Sequence, residues 1–118
     1  MLRAGFLGCG RISDLHATEY LRNERGTIAA VCDANAELAR SKAAAWGVPP
    51  QRVFTRQEDL IACDEVDLVE VLLPHDLHAT ATLPALAAGK AVSVQKPMAT
   101  SLADAQAMVA AGSKGFFK

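Results

Sequence analysis

The sequence predicts an α/β fold: a doubly wound parallel sheet in three layers, α/β/α, within a single domain. Three observations carry this. Apolar runs of strand length alternate five times with helical segments across short connections, the pattern of βαβ units. The runs lack polar alternation, as do strands covered on both faces. The first run, Leu2 to Leu7, breaks into Gly8-Cys9-Gly10-Arg11-Ile12-Ser13, a Gly-x-Gly-x-x-Ser turn that opens directly into a helix.

Each element has its own signal. Residues 3–7 form the first strand. A helix over 11–23 follows, its apolar positions Ile12, Leu15, Ala17, Tyr20 and Leu21 near a 3.6 period, with Asn23 to Gly26 as the stop. Residues 27–32 are the second strand, ending at Asp33. The alanine-rich stretch 36–46 is a helix closed by Gly47, with Pro49-Pro50 beyond it. Val53-Phe54 is a short third strand. Thr55-Arg56-Gln57-Glu58 reads as a capping box, opening a helix through Ala62. Residues 66–73 form the fourth strand, closed by Pro74, and Glu70 inside it requires a partner. The stretch 76–88 is helical with Pro84 inside, which predicts either a kink or a split. Gly89 ends it. Residues 91–94 are the fifth strand, leading into Gln95-Lys96-Pro97. Ser101, with Asp104 in the first turn, caps a last helix to about Ala111. Gly112 stops it, and Phe116-Phe117 start a sixth strand.

Composition narrows the function. The 118 residues suffice for one domain with a core that needs no staples. Hydrophobic residues are 51% and charged residues 21%, which argues against disorder. The 12 basic and 13 acidic residues intermix, so no face suits nucleic acid or anionic lipid. No apolar stretch reaches the roughly 20 residues of a membrane span, and no secretory signal precedes the first strand. Cys9, Cys32 and Cys63 have neither zinc nor disulfide-framework spacing and read as reduced thiols of a cytoplasmic protein.

The chemistry concentrates at strand ends. Gly8 permits a tight turn, and Gly10 lets backbone approach a diphosphate held at the helix N-terminus on the N–H groups of Gly10, Arg11 and Ile12. The third position usually carries Gly or Ala for close packing; here it is Ser13. Asp33 ends the second strand, 25 residues after Gly8, where a carboxylate accepts hydrogen bonds from the adenosine ribose. The alternative is that Asp33 merely caps the next helix, and the two roles are compatible. No Arg follows before Arg40, so a 2′-phosphate would meet a negative charge without a nearby cation. That favours NAD over NADP. Leu73-Pro74-His75-Asp76-Leu77-His78 lies at the carboxyl end of the fourth strand, beside the switch point of such sheets, with Leu73, Pro74, His75 and His78 on the nicotinamide side. The two histidines lack further ligands at metal spacing, so no metal is expected. Lys96 follows the fifth strand and faces either the same crevice or solvent. Cys9 and Cys32 end neighbouring strands, and Cys32 is the better candidate for core filler.

In this order, Gly8 to Ser13, Asp33, Pro74 with His78, Ala88-Gly89-Lys90 and Lys96-Pro97 resemble the N-terminal domain of the glucose–fructose oxidoreductase/inositol dehydrogenase family, Gfo/Idh/MocA. The resemblance spans nearly the whole chain. It implies a Rossmann fold over residues 1–118, NAD(P) as cofactor, and hydride transfer on a sugar, cyclitol or polyol. In that family a Glu-Lys-Pro motif ends the fifth strand, and its lysine assists proton transfer at the substrate hydroxyl. Lys96 and Pro97 match it, which implies a catalytic role for Lys96 and cofactor contacts from Gln95, Lys96 and Pro97. Gln95 stands where the family has Glu, keeping an acceptor but losing the charge. The family often has Asn where His75 stands. It also continues into a second α/β domain carrying the catalytic histidine, most substrate contacts and the oligomer interface, so these 118 residues alone are expected to bind NAD(H) weakly and turn over almost nothing. Two alternatives remain open: a noncatalytic module sensing NAD, to which Gln95 lends weight, and a Rossmann domain binding S-adenosylmethionine.

Overall fold

The apolar runs form the strands of one parallel sheet. The structure, a computed structural model, describes residues 2–74 and 77–94. Strands β1 (Leu2–Leu7), β2 (Gly26–Cys32), β3 (Val53–Phe54), β4 (Leu68–Val71) and β5 (Ala91–Val94) lie in the order β3-β2-β1-β4-β5. Every pairing is parallel. The chain winds outward from β1 to β3, then returns to β4 on the other side of β1. The carboxyl ends of β1 and β4 therefore flank the switch point at which open α/β sheets bind ligands.

Helices cover both faces. On one, Ala17 of α1 (Arg11–Arg22) and Ala39 and Ala43 of α2 (Ala36–Trp46) pack on Ala4, Phe6, Val31 and Leu68. Phe6 meets the rings of Tyr20 and Trp46 edge-on at 5.5 and 5.3 Å, an arrangement that suits the ring quadrupoles. On the other face, Leu60 and Ile61 of α3 (Gln57–Ile61) and Ala81 and Ala85 of α4 (His78–Ala87) pack on Leu7, Val69, Val71 and Val92. Small residues on the helices let them sit close to the sheet.

Four local features refine the sequence reading. The fourth strand is shorter than 66–73, running Leu68–Val71. Glu70 within it accepts a hydrogen bond from the Tyr20 hydroxyl at 2.9 Å, and His16 Nδ1 stands 3.9 Å from its other oxygen. Burial and that carboxylate push the Tyr20 phenol upward from its ordinary pKa. The capping box at Thr55 does not form: α3 is capped at Arg56 with no side-chain bond. The reason is that Phe54 still pairs with the sheet, its carbonyl accepting from the Asp33 N–H at 3.1 Å, so the first turn closes later, with the Asp59 N–H on the Arg56 carbonyl. Pro84 neither splits nor ends α4. A proline four residues on deprives the Thr80 carbonyl of its helical donor, and Gln57 Nε2 of α3 donates to that carbonyl at 3.0 Å instead. The helix expected from Ser101 and the strand from Phe116 lie outside the described residues.

Candidate functional site

The site starts from a glycine that can be nothing else. Gly8 has φ +104°, a conformation side chains rarely adopt, and a Cβ there would stand 2.7 Å from the Leu72 carbonyl oxygen. The exit of β1 thus lies directly against the exit of β4. The Gly8 N–H donates to the Cys32 carbonyl and the Leu72 N–H to the Leu7 carbonyl, both at 2.8 Å, which joins the ends of β2, β1 and β4.

Asp33 is turned into this corner. One carboxylate oxygen accepts from the Cys9 N–H at 2.9 Å, the other from the Asn35 N–H at 2.9 Å. The helix-capping role falls to Asn35, whose side chain accepts from the Leu38 N–H at 3.2 Å. Asp33 is therefore not the cap of α2; its carboxylate ties the β2 exit to the glycine turn. A carboxylate offers about four acceptor directions, so these two amides leave capacity for ribose hydroxyls. The Cys9 thiol is fully buried, and burial, then the nearby Asp33 charge, push it up to about 12; burial does the same for Cys32. Cys9 is thus as much a core residue as Cys32.

Gly10 caps α1 in extended conformation, with no side-chain bond to the first turn. A Cβ on Gly10 would meet nothing within 4 Å. The N-terminus of α1 thus has open space beside Gly10, and backbone amides at a helix start are the groups that receive an anion. Ser13 is fully buried, and its hydroxyl donates to the Gly10 carbonyl at 2.5 Å.

Across the corner, Leu73 is half-buried and Pro74 exposed as the chain leaves β4. His78 is fully buried at the start of α4, its Nε2 2.9 Å from the Leu73 carbonyl. The ring thus supports the backbone of the β4 exit. Gly8, Gly10, Arg11, Ile12, Asp33, Leu73 and Pro74 are brought to one edge of the sheet. His75, Gln95, Lys96 and Pro97 lie outside the described residues. Sequence reasoning missed the Cys9 amide as the partner of Asp33, and Leu72 as the neighbour that demands Gly8. A cavity of about 400 Å³ lies at the opposite edge, lined by residues including Leu2, Gly26, Tyr20 and Glu70, and takes no part in this corner. Among the described residues no three His, Cys, Asp or Glu side chains group to hold a metal, and no helix is long and apolar enough to cross a membrane.

Comparison with known proteins decides the family. The profile of the Gfo/Idh/MocA oxidoreductase family, NAD-binding Rossmann fold, matches residues 2–115. The chain belongs to that family. It is 32% identical over 109 residues to D-apiose dehydrogenase of Paraburkholderia graminis, covering 92% of this chain. It is 37% identical over 98 residues to inositol 2-dehydrogenase of Corynebacterium glutamicum strain R, covering 82% of this chain. In each case the match spans 28% of the relative's length. The crystal structure of the WlbA dehydrogenase from Bordetella pertussis, in complex with NADH and UDP-GlcNAcA, superposes with a TM-score of 0.89 at 32% identity, over 96% of this chain and 34% of that one. The fold and the Gfo/Idh/MocA resemblance read from the sequence hold.

Proposed function

We propose that this domain holds NAD for a dehydrogenase that moves a hydride between the nicotinamide and a secondary hydroxyl of a sugar, cyclitol or related polyol. The observation that carries the reading is the Asp33–Cys9 bond. It ties the carboxylate we assign to the ribose to the bare glycine turn, beside open space at Gly10. The relatives named above, a pentose and a cyclitol dehydrogenase, support the substrate class.

Each residue has a task. The N–H groups of Gly10, Arg11 and Ile12 bind the diphosphate. Asp33 accepts from the adenosine ribose and repels a 2′-phosphate. No Arg lies between Asp33 and Arg40, and Lys42 is paired with Asp14 at 2.7 Å, which favours NAD over NADP. The backbone at Leu73 and Pro74, supported by His78, lines the nicotinamide side together with His75. Gln95, Lys96 and Pro97, which follow β5 in the sequence, are assigned to the cofactor, and Lys96 exchanges the proton of the substrate hydroxyl. Bound NAD supplies the hydride acceptor. Substrate contacts and the contacts of a homo-oligomer fall to a second domain outside residues 1–118, in a cytoplasmic enzyme.

Fluorescence titration with NADH, NADPH and S-adenosylmethionine tests the cofactor. NADH should bind tightest and S-adenosylmethionine not at all; no NADH binding overturns the reading. A polyol panel on the whole protein, with and without Lys96→Ala, tests the chemistry. Turnover that survives the substitution removes Lys96 from catalysis, and no turnover on any polyol favours the noncatalytic reading that Gln95 suggests.

A further inference from the structure

Two backbone donors in the glycine turn are already committed. The Gly8 N–H is bonded to Cys32 and the Cys9 N–H to Asp33. A diphosphate in this corner must therefore rely on the amides from Gly10 onward, and their aim depends on how the Gly10 peptide is held. Gly10 has no side chain to fix it, and nothing packs where its Cβ would be. Its carbonyl, however, accepts twice from one residue: from the Ser13 N–H at 3.0 Å and from the Ser13 hydroxyl at 2.5 Å.

A trans peptide is planar, so the Gly10 carbonyl and the Arg11 N–H point in opposite directions within one rigid plane. Holding the carbonyl down the helix holds the N–H outward, along the axis of α1. We propose that Ser13 is a positioning residue for the diphosphate: its hydroxyl locks the Gly10–Arg11 peptide plane and so presents the Arg11 N–H to the ligand. Ser13 is fully buried, so it acts through this peptide rather than by direct contact. Gly or Ala at this position would supply the close packing but only the backbone half of the grip. The hydroxyl is thus the functional content of the third motif position. This inference rests on the cofactor reading above.

The test uses the whole protein as expressed from its gene, with Ser13→Ala and Ser13→Gly. Affinities for NADH, ADP-ribose and adenosine are measured beside thermal melting. Loss of one neutral hydrogen bond's worth of alignment predicts a rise of about three- to tenfold in Kd for both NADH and ADP-ribose. Adenosine, which lacks the diphosphate, should bind each variant as it binds wild type. Variants that melt earlier but bind NADH within twofold of wild type overturn the proposal, because the hydroxyl is then only structural. An equal loss for adenosine and ADP-ribose overturns it as well. Wild-type protein that binds no NADH brings down the cofactor reading instead.

Discussion

The two edges of the sheet treat their polar groups in opposite ways. At the amino edge they are paired off. Arg3 on β1 sends Nε and Nη2 to the two oxygens of Asp67 at 3.0 and 2.9 Å and Nη1 to Glu65 at 3.0 Å, while its backbone N–H also donates to Asp67. Lys90 closes the loop before β4 by donating to the carbonyls of Cys63 and Val66. At the carboxyl edge, side chains restrain only part of the turn. Asp33 and Ser13 hold Cys9 and Gly10, and the helix start at Gly10 has open space beside it. The amino edge closes the sheet; the carboxyl edge restrains a turn just enough to present bare backbone. Substitutions at the first should alter stability without ligand affinity. At the second, the two effects should separate residue by residue.

The largest effect is expected at Gly8. Gly8→Ala combines a disfavoured φ with a methyl 2.7 Å from the Leu72 oxygen, so either β1 or β4 must shift. A loss on the order of 3 kcal/mol in denaturant unfolding is expected. Gly10→Ala, two residues on, is the contrast. Its φ of −74° suits alanine and its Cβ is unobstructed, so stability should fall by less than about 1 kcal/mol. Yet that methyl occupies the space where the diphosphate would rest, and NADH affinity should drop about tenfold or more, roughly 1.4 kcal/mol. Equal stability losses for the two glycines would break the distinction between a folding glycine and a binding glycine.

Asp33 comes next. Asp33→Ala removes the proposed ribose acceptor and the tie to Cys9, and should weaken NADH binding by roughly 1–3 kcal/mol. Asp33→Asn keeps an acceptor for the Cys9 amide while dropping the charge that repels a 2′-phosphate. It should lose less NADH affinity than Asp33→Ala and should narrow the preference for NADH over NADPH. An unchanged NADH dissociation constant in Asp33→Ala would remove this carboxylate from the site.

What could be read in advance follows the same divide. The succession of strands and helices, the parallel sheet, the glycine turn and an acid at the end of the second strand were legible because periodicity and motif spacing are local properties of the chain. The contacts that make the corner rigid are not local. Cys9 to Asp33 spans 24 residues, and Leu72 meets Gly8 only because β4 inserts beside β1. Neither pairing leaves a trace in the residue types involved, since one uses a backbone amide and the other a backbone carbonyl. The capping box at Thr55 failed for a related reason: a good local signal yielded to a sheet hydrogen bond made by its neighbour Phe54. Pro84 is the reverse case. Of the kink or split that it signals, the split does not occur, and the Thr80 carbonyl left without its helical donor accepts from Gln57, a side chain from another helix.

The smallest effect belongs to the amino edge and carries a definite pH signature. The Arg3 guanidinium and backbone N–H hold the Asp67 carboxyl below its ordinary value of 3.8. A carboxylate more acidic when folded than unfolded binds fewer protons in the folded state, so it adds stability that is complete above the unfolded pKa. That stability drains away as pH falls through the lower, folded value. Arg3→Ala should therefore melt slightly earlier than wild type at pH 7, by a gap that stays constant down to about pH 5 and closes below about pH 4. Both side chains are partly exposed, so added salt should shrink the gap as well. NADH affinity should be the same in the two proteins, because the pair sits at the far end of β1 from Gly8. A gap that persists unchanged at pH 3 would mean that the arginine stem acts by packing and not by charge. A change in NADH affinity would mean that the two edges are coupled through the sheet, and the division of labour between them would not hold.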